Sequence, residues 1–177
     1  MLGDGIQNTM TVMEANKPCE VFERIADFLT RHNIEYRVMD HAPTRTSEEA
    51  AEFRGTPLSS GAKALLMKLY ASNGNFFGLM VFPAHLRLDS KLARKLTGSK
   101  KTRFATAEEL MKMTGLKPGS VPPFGEPILR VRLFVDRTLI AMNDEISFNA
   151  GSLTRSIIMS AKDYERVSGA EFGLLAK

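Results

Sequence analysis

Lys63-Ala-Leu-Leu-Met-Lys-Leu-Tyr-Ala71 and Phe76-Phe-Gly-Leu-Met-Val-Phe82 are two apolar runs separated by Ser72-Asn73-Gly74-Asn75. Asn-Gly is the strongest short signal for a hairpin turn, because both residues tolerate backbone angles that other side chains resist. The two runs therefore predict an antiparallel hairpin, and their apolar character places it in the core of a sheet.

Working outward toward the N-terminus, Thr46-Ser-Glu-Glu49 has capping-box spacing and predicts a helix over Ser47–Arg54 that stops at Gly55. Residues 35–40 read as a short strand. Before them, Val21, Phe22, Ile25, Phe28 and Leu29 recur at helical spacing in a helix that starts at Pro18 and ends near Asn33. Toward the C-terminus, a helix is expected over 90–96 with Gly98 behind it. Thr106-Ala-Glu-Glu109 opens another that runs to Thr114 and is closed by Gly115. Leu129, Val131, Leu133 and Val135 alternate with Arg130, Arg132 and Phe134, the period of a strand with one buried face. Further strands are expected near 139–142, 145–148 and 153–159, followed by a closing helix from Ser160 toward Val167. Helices and strands come mixed, with a hairpin in the middle and a meander near the end, so the expected class is α+β. Residues 1–16 show no sustained period and read as a mobile extension ahead of a single domain spanning 17–177.

A chain of 177 residues, 44% hydrophobic and 25% charged, is long enough to bury a sizeable core. No apolar run approaches the roughly 20 residues of a membrane-spanning helix, and no secretory signal pattern opens the sequence, so a cytoplasmic protein is expected. The lone Cys19 cannot form an internal disulfide and reads as packing. Neither Cys-x-x-Cys nor His-Glu-x-x-His occurs, so no metal and no cofactor is expected. Net charge is +4, and its distribution says more than its size. Lys91, Arg94, Lys95, Lys100 and Lys101 fall in one basic run between Arg87 and Arg103 that contains only Asp89 as an opposing charge. Such a run suits a phosphate backbone, or else is a solvated helix face.

Two loops and one lysine stand out chemically. The segment Gly115-Leu-Lys-Pro-Gly-Ser-Val-Pro-Pro-Phe-Gly125 combines three glycines with three prolines. It is either a stiff connector or a ribbon that presents backbone groups to a ligand. Phe148-Asn-Ala-Gly-Ser-Leu-Thr154 is a second small-residue turn that brings amide and hydroxyl groups beside a glycine. Lys63 heads a strand among Ala62, Ala64, Leu65 and Leu66. Its ammonium either reaches out to solvent or is held in a cleft, where it could bind phosphate or developing negative charge. Gly55 to Lys63 does not have the spacing of a phosphate-binding Walker loop, which excludes nucleotide hydrolysis on that pattern. His32 sits at a helix end, whereas His41 and His85 adjoin proline-containing loops and are candidates for a site rim. No serine lies in a Gly-x-Ser-x-Gly elbow.

In order, His41 with Thr46-Ser-Glu-Glu-Ala-Ala, Gly61-Ala-Lys-Ala-Leu, Phe82-Pro-Ala with Arg87-Leu-Asp89, Arg103-Phe-Ala-Thr-Ala-Glu-Glu-Leu, the 115–125 loop and Phe148-Asn-Ala-Gly-Ser form a set. That ordered set resembles the YbaK and prolyl-tRNA-synthetase-associated editing domain over roughly residues 41–167.

The resemblance implies a curved, mixed and mostly antiparallel sheet of about six to seven strands with helices packed outside. It also implies a free-standing deacylase that hydrolyses the ester of mischarged aminoacyl-tRNA, a small amino acid on a tRNA such as that for proline. Its partners would be aminoacyl-tRNA and an aminoacyl-tRNA synthetase. By the likeness Lys63 holds the terminal phosphate or orients the acyl group, and the amides of Gly119 and Ser120 stabilise the oxyanion while the substrate's ribose hydroxyl helps to position water. His41, Ala64, His85, Pro122, Phe124, Gly125, Asn149, Gly151 and Ser152 are the expected substrate contacts, and the basic run meets the acceptor stem. Ala64 stands where several relatives carry Asn or Thr, and His85 where many carry a small or acidic residue, so the amino acid removed is left open. The competing reading is a non-catalytic module that only binds tRNA or a synthetase.

Overall fold

The computed structural model describes residues 18–44 and 46–177, and the extension expected at 1–16 lies outside them. Strands β2 (Ala62–Ala71) and β3 (Gly74–Pro83) pair antiparallel along their whole length, from Ala62 opposite Pro83 to Ala71 opposite Gly74. The two-residue turn is therefore Ser72-Asn73, one residue earlier than the Asn-Gly signal suggests. Gly74 instead opens β3 at φ +128°, an angle closed to ordinary side chains.

This hairpin is the centre of a five-stranded sheet ordered β4-β2-β3-β5-β8, where β4 is Lys101–Phe104, β5 is Arg132–Asp136 and β8 is Glu171–Gly173. β4 is antiparallel to β2, whereas β5 runs parallel to β3 and β8 parallel to β5. A second, antiparallel sheet has the order β1-β7-β6, from Tyr36–Asp40, Arg155–Ser160 and Glu145–Asn149. A bridge between Gly61 and Ser147 joins the sheets. The α+β class and mostly antiparallel pairing match expectation, but among the described residues the strands number eight and divide between two hydrogen-bonded sheets.

Among the described residues, six α-helices cover these sheets: α1 (Pro18–Arg31), α2 (Ser47–Arg54), α3 (Ser90–Thr97), α4 (Ala107–Thr114), α5 (Arg137–Ala141) and α6 (Ala161–Val167). Their ends follow local chemistry. Thr46 and Thr106 accept the amides of Glu49 and Glu109, the second in a complete capping box, and Gly55, Gly98 and Gly115 close three helices in the left-handed region.

The strand expected at 139–142 is a correction, because those residues end in helix α5 and the turn after it. Asp136 decides this. One carboxylate oxygen accepts the Thr138 amide at 2.9 Å and hydroxyl at 2.7 Å, while the other accepts the amides of Leu175 at 2.6 Å and Ala176 at 2.9 Å. A fully buried carboxylate with four donors caps a helix and anchors the last residues together, outweighing the apolar pattern of Leu139 and Ile140. The strand read from Leu129 likewise starts only at Arg132, and Leu129 and Val131 are buried in irregular chain before it.

Val21, Ile25 and Leu29 form the fully buried stripe of α1, four residues apart. Phe124, from the glycine loop, packs edge-on against Phe28, Phe148 and Tyr164 with ring centres 5.4 to 6.0 Å apart. Each buried aromatic of this kind contributes on the order of 2 kcal/mol from area alone. The Tyr164 hydroxyl donates to Pro123 O at 2.6 Å, and burial pushes its pKa well above the ordinary phenol value. The loop at 115–125 is thereby pinned from beneath by the core.

Candidate active site

Where the two sheets meet, a cleft of about 350 Å³ opens between α2, the start of β2, the end of β6 and the glycine loop. Lys63 and Ala64 come from β2, Arg54 from the last turn of α2, Phe148 and Asn149 from β6, and Gly119 and Val121 from the loop. Thr44, Thr46, Ser47 and Glu48 close the rim. Lys63 is half-buried, with Nζ 6.0 Å from the Phe82 ring centre.

Arg54 organises the wall facing this lysine. Its Nη2 donates to Asn149 Oδ1 at 2.6 Å, its Nε to Ser156 Oγ at 2.9 Å, and its Nη1 reaches Ser147 Oγ at 3.5 Å. Asn149 passes the connection on by donating to Gly119 O at 2.8 Å. One guanidinium thus ties α2, strands β6 and β7 of the small sheet and the glycine loop into one unit. All of these acceptors are neutral, and burial lowers the Arg54 pKa to about 10. The group remains cationic at neutral pH, so the cleft holds two positive charges, Lys63 and Arg54.

His41 lies behind that wall. Its Nδ1 donates to Ala42 O at 2.8 Å, and its Nε2 lies 2.7 Å from Ser156 Oγ, whose hydroxyl donates to Asn149 Oδ1 at 3.1 Å. The pair has the geometry of a base and a nucleophile, yet Ser156 is fully buried and cannot reach a substrate. It positions Arg54 and Asn149 instead. Among the described residues, no three His, Cys, Asp or Glu side chains gather as they would around a metal ion, and no helix is long and apolar enough to cross a membrane.

The family model for the aminoacyl-tRNA editing domain matches residues 41–167, which include every wall of this cleft. The chain belongs to that family. It is 31% identical over 159 residues to the multifunctional Ser/Thr-tRNA deacylase ProXp-y of Escherichia coli, covering 89% of this chain and 94% of that one. It is 33% identical over 106 residues to the proline–tRNA ligase of Ralstonia pickettii, covering 59% of this chain but only 18% of the ligase. A crystal structure of a candidate trans-editing enzyme for prolyl tRNA synthetase superposes with a TM-score of 0.72 at 26% identity, covering 89% of this chain and 97% of the other. As an editing domain, the chain is an aminoacyl-tRNA deacylase.

Of the residues expected in the site, the editing domain brings Lys63, Ala64, Gly119 and Asn149 onto the cleft wall. His41 stands one layer behind. The others lie elsewhere. Ser120 is only 4% exposed, and both its amide and its hydroxyl go to Lys117 O, at 3.1 and 2.9 Å, so it closes the turn instead of facing an oxyanion. Pro122 and Phe124 are buried in the core. Gly125 is packed so closely that a Cβ there would meet Val131 O at 2.7 Å. Gly151 donates to Ser120 O at 3.0 Å and so laces the two small-residue loops together, while Ser152 bonds Thr154 within its own turn. His85 is exposed and off the wall, which Ala84 occupies.

The basic run divides in two. Lys91, Arg94 and Lys95 are on α3, whereas Lys101 is in edge strand β4, with Lys100 just before it. Arg103 makes a bidentate pair with Glu109 at 2.7 Å for both bonds, which raises its own pKa and holds the Glu109 carboxyl down at about 2. Sequence reading missed Arg54, Ser147 and Ser156. Nothing local marks them, since their partners stand about a hundred residues apart in the chain.

Proposed function

We propose that this editing domain removes a small, hydroxyl-bearing amino acid of the Ser/Thr class from mischarged tRNA. The observation that carries the reading is the pair of cations, Lys63 and Arg54, on a cleft whose other polar groups are hydroxyls, an amide, a loop backbone and, at the rim, the Glu48 carboxylate. ProXp-y, which this chain resembles along nearly its whole length, is a Ser/Thr-tRNA deacylase, and that likeness supports the same class of acyl group here.

The reaction needs little protein nucleophilicity, because an aminoacyl ester is already activated. Water attacks the ester carbon, the tetrahedral oxyanion forms beside Lys63 and the Gly119 amide, and the C–O bond to the ribose breaks to give free amino acid and tRNA. Arg54 holds Asn149, and through it Gly119, at fixed distance from the reacting carbon. Glu48 is the carboxylate on the rim and suits the substrate's α-ammonium. Matching segments within proline–tRNA ligases support a synthetase as a further partner.

A panel of mischarged tRNAs, assayed for released amino acid, tests the proposal. Ser- and Thr-tRNA are expected to turn over fastest, and Lys63→Ala to lose most of that rate with an unchanged melting temperature. A preference for an aliphatic acyl group, or full activity without Lys63, would overturn it.

A further inference from the structure

A second hollow of about 220 Å³ adjoins the cleft and shares Ala64, Leu65, Gly119 and Val121 with it. Its outer side is formed by Phe104, Ala105 and Thr106 at the end of β4. Phe104 is 60% exposed, the joint highest among the large hydrophobic residues described as exposed. A phenylalanine this exposed beside a polar cleft offers a flat apolar face on which a planar ligand can stack.

Charge identifies the cover. Arg103 is neutralised by its bidentate pair with Glu109, and Lys68 shares that carboxylate at 3.8 Å. Lys100 and Lys101 make no ion pair among the described residues, and Lys101 lies over the Tyr70 ring at 5.8 Å. An exposed aromatic followed along an extended edge by free cations is the pattern that binds single-stranded nucleic acid, with bases stacked on the ring and phosphates on the lysines. Two residues separate Phe104 from Lys101, about 10 Å along β4, and because side chains alternate along a strand the two project to opposite faces, so a chain running from one to the other passes around the free edge.

Resting on the deacylase reading above, we propose that Phe104 is the stacking platform for the terminal base of aminoacyl-tRNA. The ester and ribose occupy the polar cleft at Lys63, the base crosses the Ala64 and Gly119 wall into the smaller hollow, and the strand leaves over Lys101 and Lys100. The hollow is lined by carbon on most sides, which suits a base face and does not suit the acyl group's ammonium.

The test separates this proposal from the activity it rests on. Binding of uncharged tRNA is compared with the same RNA lacking its terminal adenosine, for the wild type, Phe104→Ala and Phe104→Tyr. The wild type and Phe104→Tyr are expected to favour the complete end by roughly 5- to 150-fold, the range of one stacked base, and Phe104→Ala to lose that preference. In deacylation, Phe104→Ala should raise KM by a similar factor with kcat little changed, both on tRNA and on an aminoacyl ester of adenosine alone. Equal binding of both RNAs by the wild type would overturn the proposal, as would a KM effect confined to full-length tRNA. Absence of hydrolysis by the wild type, with the end preference intact, would instead strike the deacylase reading. Because Phe104 is mostly exposed, melting temperatures should not move.

Discussion

Replacing Arg54 by Met separates the chemistry of the cleft from its stability. The substitution keeps an unbranched stem but removes three donors and a charge. The short bond to Asn149 and the bond to Ser156 are charge-assisted, and at about 1.5–3 kcal/mol each their loss costs about 3–6 kcal/mol. Ser156 keeps His41, however, and Ser147 keeps Thr56 at 3.4 Å. On the other side stands the cost of desolvating the guanidinium, visible in its pKa of about 10, which is about 3 kcal/mol before a discount to about 2 for its partial exposure. The second offsets only part of the first. Arg54→Met should therefore destabilise by about 1–4 kcal/mol, roughly 2–16 °C of melting temperature in a chain this long. Turnover should fall on the order of 10²-fold, because the charge facing Lys63 disappears and Asn149 no longer fixes the loop. Thermal melting and kcat/KM on a mischarged tRNA measure both sides. An unchanged kcat/KM per folded molecule, whatever the loss of melting temperature, would show that Arg54 is only a structural clasp. Arg54→Lys, which keeps the charge without the fork, should recover part of the rate.

Three further outcomes follow from the geometry. Gly125→Ala drives a Cβ into Val131 O and should destabilise by about 1–3 kcal/mol while leaving kcat/KM of the folded fraction intact, which melting and active-site titration would check. Gly119→Ala must hold φ near +86° with its Cβ 3.1 Å from Leu153, so it should lose activity and about 1–2 kcal/mol of stability together. The Glu109 carboxyl is held at about 2 by Arg103 and then by the Thr106 amide, so its contribution is fully present above the ordinary carboxylate range and is lost as pH falls toward 2. Glu109→Gln should accordingly flatten the decline of melting temperature between about pH 4.5 and 2 while leaving its shape above pH 5 unchanged.

The elements that could be read from sequence are those whose signals are local. Thr46, Gly55, Thr106 and Gly115 each act within four residues, and their helices fall where expected. β4 escaped notice because Lys101-Thr-Arg-Phe104 is short and charged, and becomes a strand only by pairing with Met67–Tyr70. α5 escaped because Asp136 draws two of its partners from residues 175 and 176. The site divides in the same way. Lys63 was conspicuous among apolar neighbours and Gly119 in a glycine loop, so both were found. Arg54 had the appearance of a charge at a helix end, and its meaning depends on strands that fold beside it from the far end of the chain. Phe124 and Gly125 looked like loop residues open to a ligand, and only the packing of Tyr164 and Val131 shows that they serve the core.

The bridge between Gly61 and Ser147 has a mechanical meaning. The cleft does not sit within either sheet but across a joint, with Lys63 riding on one plate and Asn149 on the other. Sliding the plates by a fraction of an ångström alters the gap between them without disturbing the hydrogen bonds inside either. Packing changes behind β6 and β7 would therefore act on the width of the cleft while every residue that lines it stays the same.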